Sequence, residues 1–466
     1  MQTPSNYNVV IFLNSTFYQK EIDQLIEPFT NGQKVLVYLF YIDSQNKIDL
    51  SSWESKENFD IVEITSEFTP LQFDEDIIII DALFGFDITK PLSGGFAAVV
   101  RLINHLESTV VSIGAPSGLL PDDNTLNNSA HIVKANYTLL LGEAPIACYF
   151  AENQVYLGEW SVVNNLPNIT ESTQLPTFTT TDEIKEYYKP RKRFSHKGNY
   201  GHGLLIAGSL GMAGACTLAA QAALKTGIGL LTIHSAQCNR TILQTNVPEA
   251  MVQCDTNETF FSDLVIDTTP FQGIAIGPGL GMDDDTNLAL HHLLIENSNN
   301  NIPIVLDADG INLLANNSGL LYNGVKGAIL TPHPIELERL VGKCNNSYIR
   351  LTKAIELAKK AEVYIVLKGA YSILIMPDGS YQFNSTGNSG MATGGSGDVL
   401  TGIILALLSQ GYNKREAIVI ANYVHGMAGD IAIQEVGEIS LTASDIVNNL
   451  PKAWIKLNKM SQEETF

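Results

Sequence analysis

Asn384-Ser385-Thr386-Gly387-Asn388-Ser389-Gly390-Met391-Ala392-Thr393-Gly394-Gly395-Ser396-Gly397-Asp398 runs directly into Val399-Leu400-Thr401-Gly402-Ile403-Ile404-Leu405-Ala406-Leu407-Leu408. The first half is mostly Gly, Ser, Thr and Asn; the second is apolar at helical spacing. The junction predicts a loop with bare backbone N–H groups feeding a helix N-terminus. Unpaired amides and the helix dipole both favour an anion there. Asp398 stands where the loop becomes the helix. A carboxylate in that place either caps the helix or acts as a base beside a bound phosphate, taking a proton from a hydroxyl. A lone Gly-rich turn is weak evidence, but the length and composition of this one favour the anion site.

Working outward, the C-terminal half repeats the strand–loop–helix theme. Leu204 to Ala207 reads as a strand, followed by Gly208-Ser209-Leu210-Gly211-Met212-Ala213-Gly214-Ala215 and a helix to about Lys225. No Gly-Lys-Ser/Thr closes that loop, so it is not a P-loop; a tight turn with close helix–strand packing is the plainer reading. Gly273 to Ile276 is a strand ending in Gly277-Pro278-Gly279-Leu280-Gly281, glycines that let a ligand approach the backbone. Ile302 to Leu306 is a strand ending in Asp307 and Asp309, which alternation places on one face. They either solvate the turn and cap a helix from Ile311, or orient substrate and magnesium-bound water. Ala328 to Leu330 leads into Thr331-Pro332-His333-Pro334-Ile335-Glu336, and Val363 to Leu367 into Lys368-Gly369-Ala370-Tyr371-Ser372 and a hairpin. Lys368 offers a point charge to a phosphate. His425 and Asp430, on an apolar helix from Glu416 to Glu435, read as packing and capping residues.

The N-terminal half also alternates. Strands are expected at Asn8–Leu13, Lys34–Phe40, Asp76–Asp81 and Thr109–Ile113, with helices between, from Tyr18 to Phe29 and from Phe96 to Leu106. Strands alternating with helices imply a parallel sheet, whose ligands bind at the carboxyl ends of its strands. Asp81-Ala82-Leu83-Phe84-Gly85 and Gly114-Ala115-Pro116-Ser117-Gly118 occupy such ends. The fold class is α/β throughout. The boundaries read as residues 1–165, a Thr-, Asn- and Pro-rich linker at 166–190 ending in a short helix from Asp182 to Tyr188, and 191–460.

A chain of 466 residues has room for two domains with ample cores. Its formal net charge of −21 argues against nucleic-acid backbones and anionic membranes as partners. A phosphate-bearing substrate must then be met by local donors. The five cysteines are scattered, with no Cys-x-x-Cys pair, so neither a disulfide framework nor a zinc site is expected. The N-terminus carries no signal-peptide pattern and the apolar runs are only strand-length. A soluble, cytoplasmic homo-oligomer is expected.

The string from Gly390 to Ile404, with Gly208–Ala215, Pro248-Glu249-Ala250-Met251, Thr331–Glu336 and Lys368-Gly369-Ala370 in the same order, resembles the dehydratase domain of the bifunctional NAD(P)H-hydrate repair enzymes, the Nnr family. The likeness spans roughly residues 190 to 455. The strings at Asp81–Gly85, Gly94-Gly95-Phe96-Ala97 and Pro116–Gly118 resemble the epimerase domain of the same enzymes. The resemblance implies a shortened Rossmann-like N-terminal domain and a ribokinase-like C-terminal domain. It implies that Asp398 is the base and that Ala215, Gly279, His333 and Asp398 meet the hydrated NAD(P)H. ADP or ATP would lie on Lys368, Gly369, Ala370, Tyr371, Ser372, Asn388, Gly394, Gly395, Ser396 and Gly397. Glu336 would hold the water shell of Mg2+, and Asp81 and Ser117 would mark a vestigial K+ site.

Three departures qualify the likeness. Asn14-Ser15-Thr16-Phe17-Tyr18 stands where the family has an Asn- and Gly-rich phosphate loop. Gly114 stands where the family has an Asp that acts on the nicotinamide ring, and a glycine does no proton chemistry. Ile335 replaces a usual Gly, and β-branching disfavours a positive φ there. The first two point to an N-terminal domain without epimerase activity, and the third bears on the shape of the loop at Ile335. The alternatives are a ribokinase-like kinase of a small vitamin alcohol, which would need a smaller pocket, and a non-catalytic scaffold.

Overall fold

The computed structural model describes residues 7–15, 19–41, 50–64, 77–163, 175–263 and 265–462. Residues 16–18 of the loop discussed above, Asp76 and linker residues 166–174 lie outside them. The chain divides into two compact units, Met1–Pro176 with Asn345–Ile349, and Thr177–Cys344 with Arg350–Phe466. Residues 177–190 thus belong to the second unit. There the helix Thr181–Tyr187 buries Ile184 completely, and the Thr180 hydroxyl caps it by accepting from the Glu183 amide at 3.2 Å.

The first unit carries a seven-stranded sheet: β1 (Val9–Asn14), β2 (Val35–Phe40), β3 (Phe59–Ile64), β4 (Ile78–Ala82), β5 (Thr109–Ile113), β6 (Tyr137–Leu141) and β7 (Glu159–Val163). The order is β3-β2-β1-β4-β5-β6-β7, parallel throughout. β1 and β2 are buried along their whole length, which is why they read as unbroken apolar runs. β3, β6 and β7 were not legible. β3 is an edge strand whose Asp60 and Glu63 interrupt the apolar pattern; charge on an edge discourages pairing with other chains. The strand order reverses between β1 and β4, so the crevice of this sheet opens beside Asp81.

The second unit carries a nine-stranded sheet: β8 (His202–Ile206), β9 (Leu230–Ser235), β10 (Met251–Cys254), β11 (Gly273–Ile276), β12 (Ile304–Leu306), β13 (Ile329–Leu330), β14 (Tyr364–Leu367), β15 (Ile373–Ile375) and β16 (Tyr381–Phe383). Its order is β10-β9-β8-β11-β12-β13-β14-β15-β16, parallel as far as β14 and antiparallel through the β15–β16 hairpin. Here the reversal falls between β8 and β11, and the Gly-rich turns after both strands meet at that crevice.

The helix Ser396–Ser409 is the axis of this unit. Every residue from Val399 to Ser409 is buried, as expected of a helix that is apolar all round. It crosses the alanine-rich helix Ala213–Lys225, whose Ala219, Ala220, Ala222 and Ala223 are fully buried. Small residues permit a very close approach: a Cβ at Gly402 would stand 2.0 Å from the Ala219 carbonyl oxygen. Among the described residues no helix is long and apolar enough to cross a membrane.

Candidate active site

The Gly-rich segment is tied down before it reaches its helix. Asp430 accepts from the Gly387 amide at 3.0 Å and from Asn388 Nδ2 at 2.9 Å, and Asn388 Oδ1 accepts from the Gly390 amide at 3.1 Å. Thr386 Oγ1 donates to the Tyr423 carbonyl at 2.9 Å. Asp430 is therefore the clamp of this loop, a role that reading it as a helix cap missed. Asn388 is committed to the same clamp through both ends of its amide.

The helix then starts at Ser396, with Gly395 as its N-cap in the left-handed region at φ +89°. Asp398 lies in the first turn and is not the cap. Among the described residues no acceptor is found for the amides of Gly394, Gly395, Gly397 or Asp398, so four donors are left unbonded at the helix start. Lys368 Nζ is packed against Gly397, only 2.9 Å from where a Cβ would be. The amides and the ammonium thus lie side by side at the helix start.

Four carboxylates lie near that helix start. Lys368 Nζ donates to Asp307 Oδ1 at 2.6 Å, and Thr401 Oγ1 donates to Asp307 Oδ2 at 2.7 Å. Asp307 is buried, and this pair of donors satisfies both its carboxylate oxygens. Asp309 Oδ2 accepts from the Gly281 amide at 2.9 Å, joining the turn after β11 to the turn after β12. Glu336 is buried at the start of the helix Pro334–Val341. Burial, then the charges of Asp307, Asp309 and Glu336, push the Asp398 carboxyl up to about 7, against the opposing pull of Lys368. A carboxylate poised near neutral pH is suited to take a proton and release it again. His425, beside Ser396 Oγ at 3.4 Å, is pushed down to about 4 by burial, helped by Lys368, so it is neutral here.

Several expectations are corrected in detail. Asp307 and Asp309 do not share a strand face: β12 ends at Leu306, and the helix Ala308–Ala315 begins at once. Asp307 turns toward Lys368 and Asp309 toward Gly281. Ala308 is held at φ +45°, a conformation non-glycine residues seldom take. His333 caps its helix: Nδ1 accepts from the amides of Ile335 and Glu336 at 3.1 and 3.4 Å. Glu336 returns the bond, accepting from the His333 amide at 2.9 Å and lying 3.2 Å from His333 Nε2. Ile335 is helical with no positive φ, so its β-branch is accommodated. Thr401 was missed. Its three-residue spacing from Asp398, on one helix face, was the available signal.

On the other wall, Ala215 and Gly279 are neighbours: a Cβ on Gly279 would lie 3.4 Å from that of Ala215 and 2.7 Å from that of Met212. Gly279 is held at φ +59°. The turn Gly369–Ser372 follows β14 directly, with the Lys368 amide bonded to the Pro332 carbonyl at 3.0 Å. The turns after β11, β12, β13 and β14 and the start of the Ser396 helix therefore surround one crevice.

Known proteins resemble this chain in both halves. Residues 203–452 match the family model described as NAD(P)H-hydrate dehydratase, and residues 30–145 match that of the YjeF-related protein N-terminus. The bifunctional NAD(P)H-hydrate repair enzyme Nnr of Thermofilum pendens is 34% identical over 387 residues, which is 81% of this chain and 72% of that protein. The chain belongs to the Nnr family. The Nnr enzyme of Coxiella burnetii is 33% identical over 91% of this chain and 85% of its own length. Among solved structures, the ADP/ATP-dependent NAD(P)H-hydrate dehydratase of Bacillus subtilis, co-crystallised with ATP and Mg2+, is 31% identical. It covers 60% of this chain and 99% of its own, with a TM-score of 0.52.

The first unit of this Nnr protein gathers different chemistry at its crevice. Asp81 and Ser117 meet there as hydrogen-bond partners. Asp81 accepts from Ser117 Oγ at 2.6 Å, the Ser117 amide at 2.8 Å and Ser112 Oγ at 2.9 Å, and Ser117 Oγ accepts from the Phe84 amide at 3.2 Å. Burial pushes the Asp81 carboxyl upward, against these bonds. The residues satisfy one another, so this donor set does not fit an open potassium site. Gly114, beside them, is held at φ +87°.

Proposed function

We propose that this chain dehydrates NAD(P)H-hydrate back to NAD(P)H at the expense of ADP or ATP. The observation that carries the reading is Asp398, raised to about 7, in the first turn of the helix whose start carries the unbonded amides, with Lys368 packed against Gly397. The adenine nucleotide places its terminal phosphoryl group on the amides of Gly394, Gly397 and Asp398, with Lys368 beside it. Asp398 takes the proton of the hydroxyl on the hydrated nicotinamide ring. The oxygen attacks phosphorus, and the leaving nucleotide departs one phosphoryl group shorter. The amides stabilise the charge that develops on the transferred group. The ring nitrogen lone pair then expels the phosphate, a ring proton is lost, and the double bond returns. Ala215 and Gly279 leave the opposite wall open to the nicotinamide nucleotide, because neither presents a bulky side chain.

Asp307, Asp309 and Glu336 are all hydrogen-bonded within the protein, so they fit magnesium through its water shell and not as direct ligands. Bound magnesium would supply charge neutralisation of the phosphates. The N-terminal unit has no epimerase activity in this reading. Its support is Gly114 in place of an acid and an Asp81 already satisfied by Ser112 and Ser117.

A mixture of R and S epimers of NADH hydrate, with Mg2+ and ADP or ATP, tests both parts by the return of dihydronicotinamide absorbance. Recovery of the S fraction alone is expected. Rapid recovery of both epimers overturns the reading of the first unit, and no recovery with either nucleotide overturns the dehydratase.

A further inference from the structure

In a chain of net charge −21, no Asp or Glu occurs between Glu186 and Glu249. That interval opens with Lys189-Pro190-Arg191-Lys192-Arg193-Phe194-Ser195-His196-Lys197. These residues form a fixed scaffold. Ser195 Oγ bonds the Lys192 carbonyl and the Tyr200 hydroxyl, each at 2.5 Å, and His196 and Asn199 cap each other reciprocally. Lys189 lies 4.3 Å over the Tyr412 ring and pairs with Glu416 at 3.0 Å. Arg191 lies 3.9 Å over the Tyr200 ring and donates to the Gly227 carbonyl. Two cations are thus spent on the frame, while Lys192, Arg193 and Lys197 are exposed and not ion-paired within the described residues.

Beside the frame lies an open cavity of about 460 Å³, lined by Lys192, Arg193, Phe194, Tyr200, Gln410 and Tyr412. Phe194 is 97% exposed, an uncovered aromatic face flanked by cationic residues. A volume of this order suits one small molecule. Unpaired cations select an anion, and a bare ring selects a flat partner, since ring faces stack. Gln410 follows the far end of the helix Ser396–Ser409, 14 residues and about 20 Å from the anion loop. The cavity is therefore separate from the active site.

We propose that this cavity is a second binding site, for a nucleotide: phosphates on Lys192 and Arg193, base or nicotinamide against Phe194. Adenine and nicotinamide nucleotides share that chemistry. The test is equilibrium dialysis on the full chain with ADP, NADH or inorganic pyrophosphate, comparing the wild type with Lys192→Glu/Arg193→Glu and with Phe194→Ala. All three side chains are exposed, and circular dichroism checks that the variants fold.

The wild type should hold one more ADP or NADH per chain than the double-charge variant. That extra site should weaken by at least about tenfold from low to high salt. Phe194→Ala should weaken nucleotide at the extra site by about tenfold, the value of a lost stacking contact, and leave pyrophosphate unchanged. The tighter of the ADP and NADH arms names the source. Equal stoichiometry in wild type and double-charge variant overturns the proposal, as does pyrophosphate binding as tightly as nucleotide, or retention of the protein on anionic lipid vesicles. If the dehydratase reading alone fails, the salt-sensitive site remains while nucleotide-dependent recovery of hydrate is missing.

Discussion

Both units of this protein are built on largely parallel α/β sheets with a reversal of strand order, and in both an aspartate stands at the resulting crevice, buried at Asp81 and half-buried at Asp398. The similarity ends there. At Asp81 every oxygen is met by a serine hydroxyl or a backbone amide, and the position of the family's acid is a glycine at φ +87°. At Asp398 the carboxyl is crowded by three further carboxylates beside a lysine and unpaired amides, an arrangement the protein alone leaves electrostatically unresolved. A self-satisfied crevice is a structural feature, whereas one with opposed charges and open donors is prepared for a ligand. The two units share a parallel α/β plan, and their crevices gather different groups.

The largest test of this contrast is paired substitution. Asp398→Asn should lower kcat by about 10³-fold or more while nucleotide binding persists, and Asp81→Asn should leave dehydration of the S epimer unchanged. An Asp398→Asn enzyme at full activity would break the comparison outright. Next in size is Lys368→Met. It leaves the buried Asp307 with only Thr401, and should cost about 3–5 kcal/mol in urea unfolding besides weakening nucleotide binding. Adding Asp307→Asn to it should return much of that stability.

The third test is pH. A carboxyl raised in the folded state binds protons on folding, so its stabilising contribution is complete below its unfolded pKa of about 3.9 and is lost as pH rises through about 7. Asp398→Asn removes that loss. The variant should melt higher than wild type above pH 7, by on the order of 2–4 kcal/mol, with the advantage vanishing near pH 4. An advantage that is the same at every pH would show that the crowded carboxylates do not act on Asp398. The smallest effects come from glycines. Gly402→Ala meets the Ala219 carbonyl and should destabilise by about 1–3 kcal/mol, whereas Gly95→Ala, in open space on the helix Gly94–His105, should stabilise by about 0.5–1 kcal/mol. Thermal unfolding of the two variants decides it.

Much of this was legible in the sequence. The buried strands β1, β2, β4 and β5 and the Ser396 helix announced themselves as apolar runs with polar ends. The Gly-rich string marked the loop whose amides stay unbonded at the helix start, and Lys368 was found because it ends a strand. Edge strands were not legible, since β3 mixes Asp60 and Glu63 into its pattern. Nor was the capping exchange between His333 and Glu336, because that motif is usually written with a serine or threonine. Asp430 was read as a helix residue, and only its contacts with Gly387 and Asn388 show what it holds.

By itself, then, the sequence determined the α/β alternation, the bare amides of the Gly-rich segment and the presence of an acid one turn inside its helix. These depend on residues adjacent in the chain, where backbone propensity and spacing act. The tertiary structure decided that Asp398 is raised toward neutrality, that Asp307 is bonded by Lys368 and Thr401, and that Asp81 is spent on its neighbours. Those properties depend on burial and on distances between groups far apart in the chain, and both are set only when the strands have found their order.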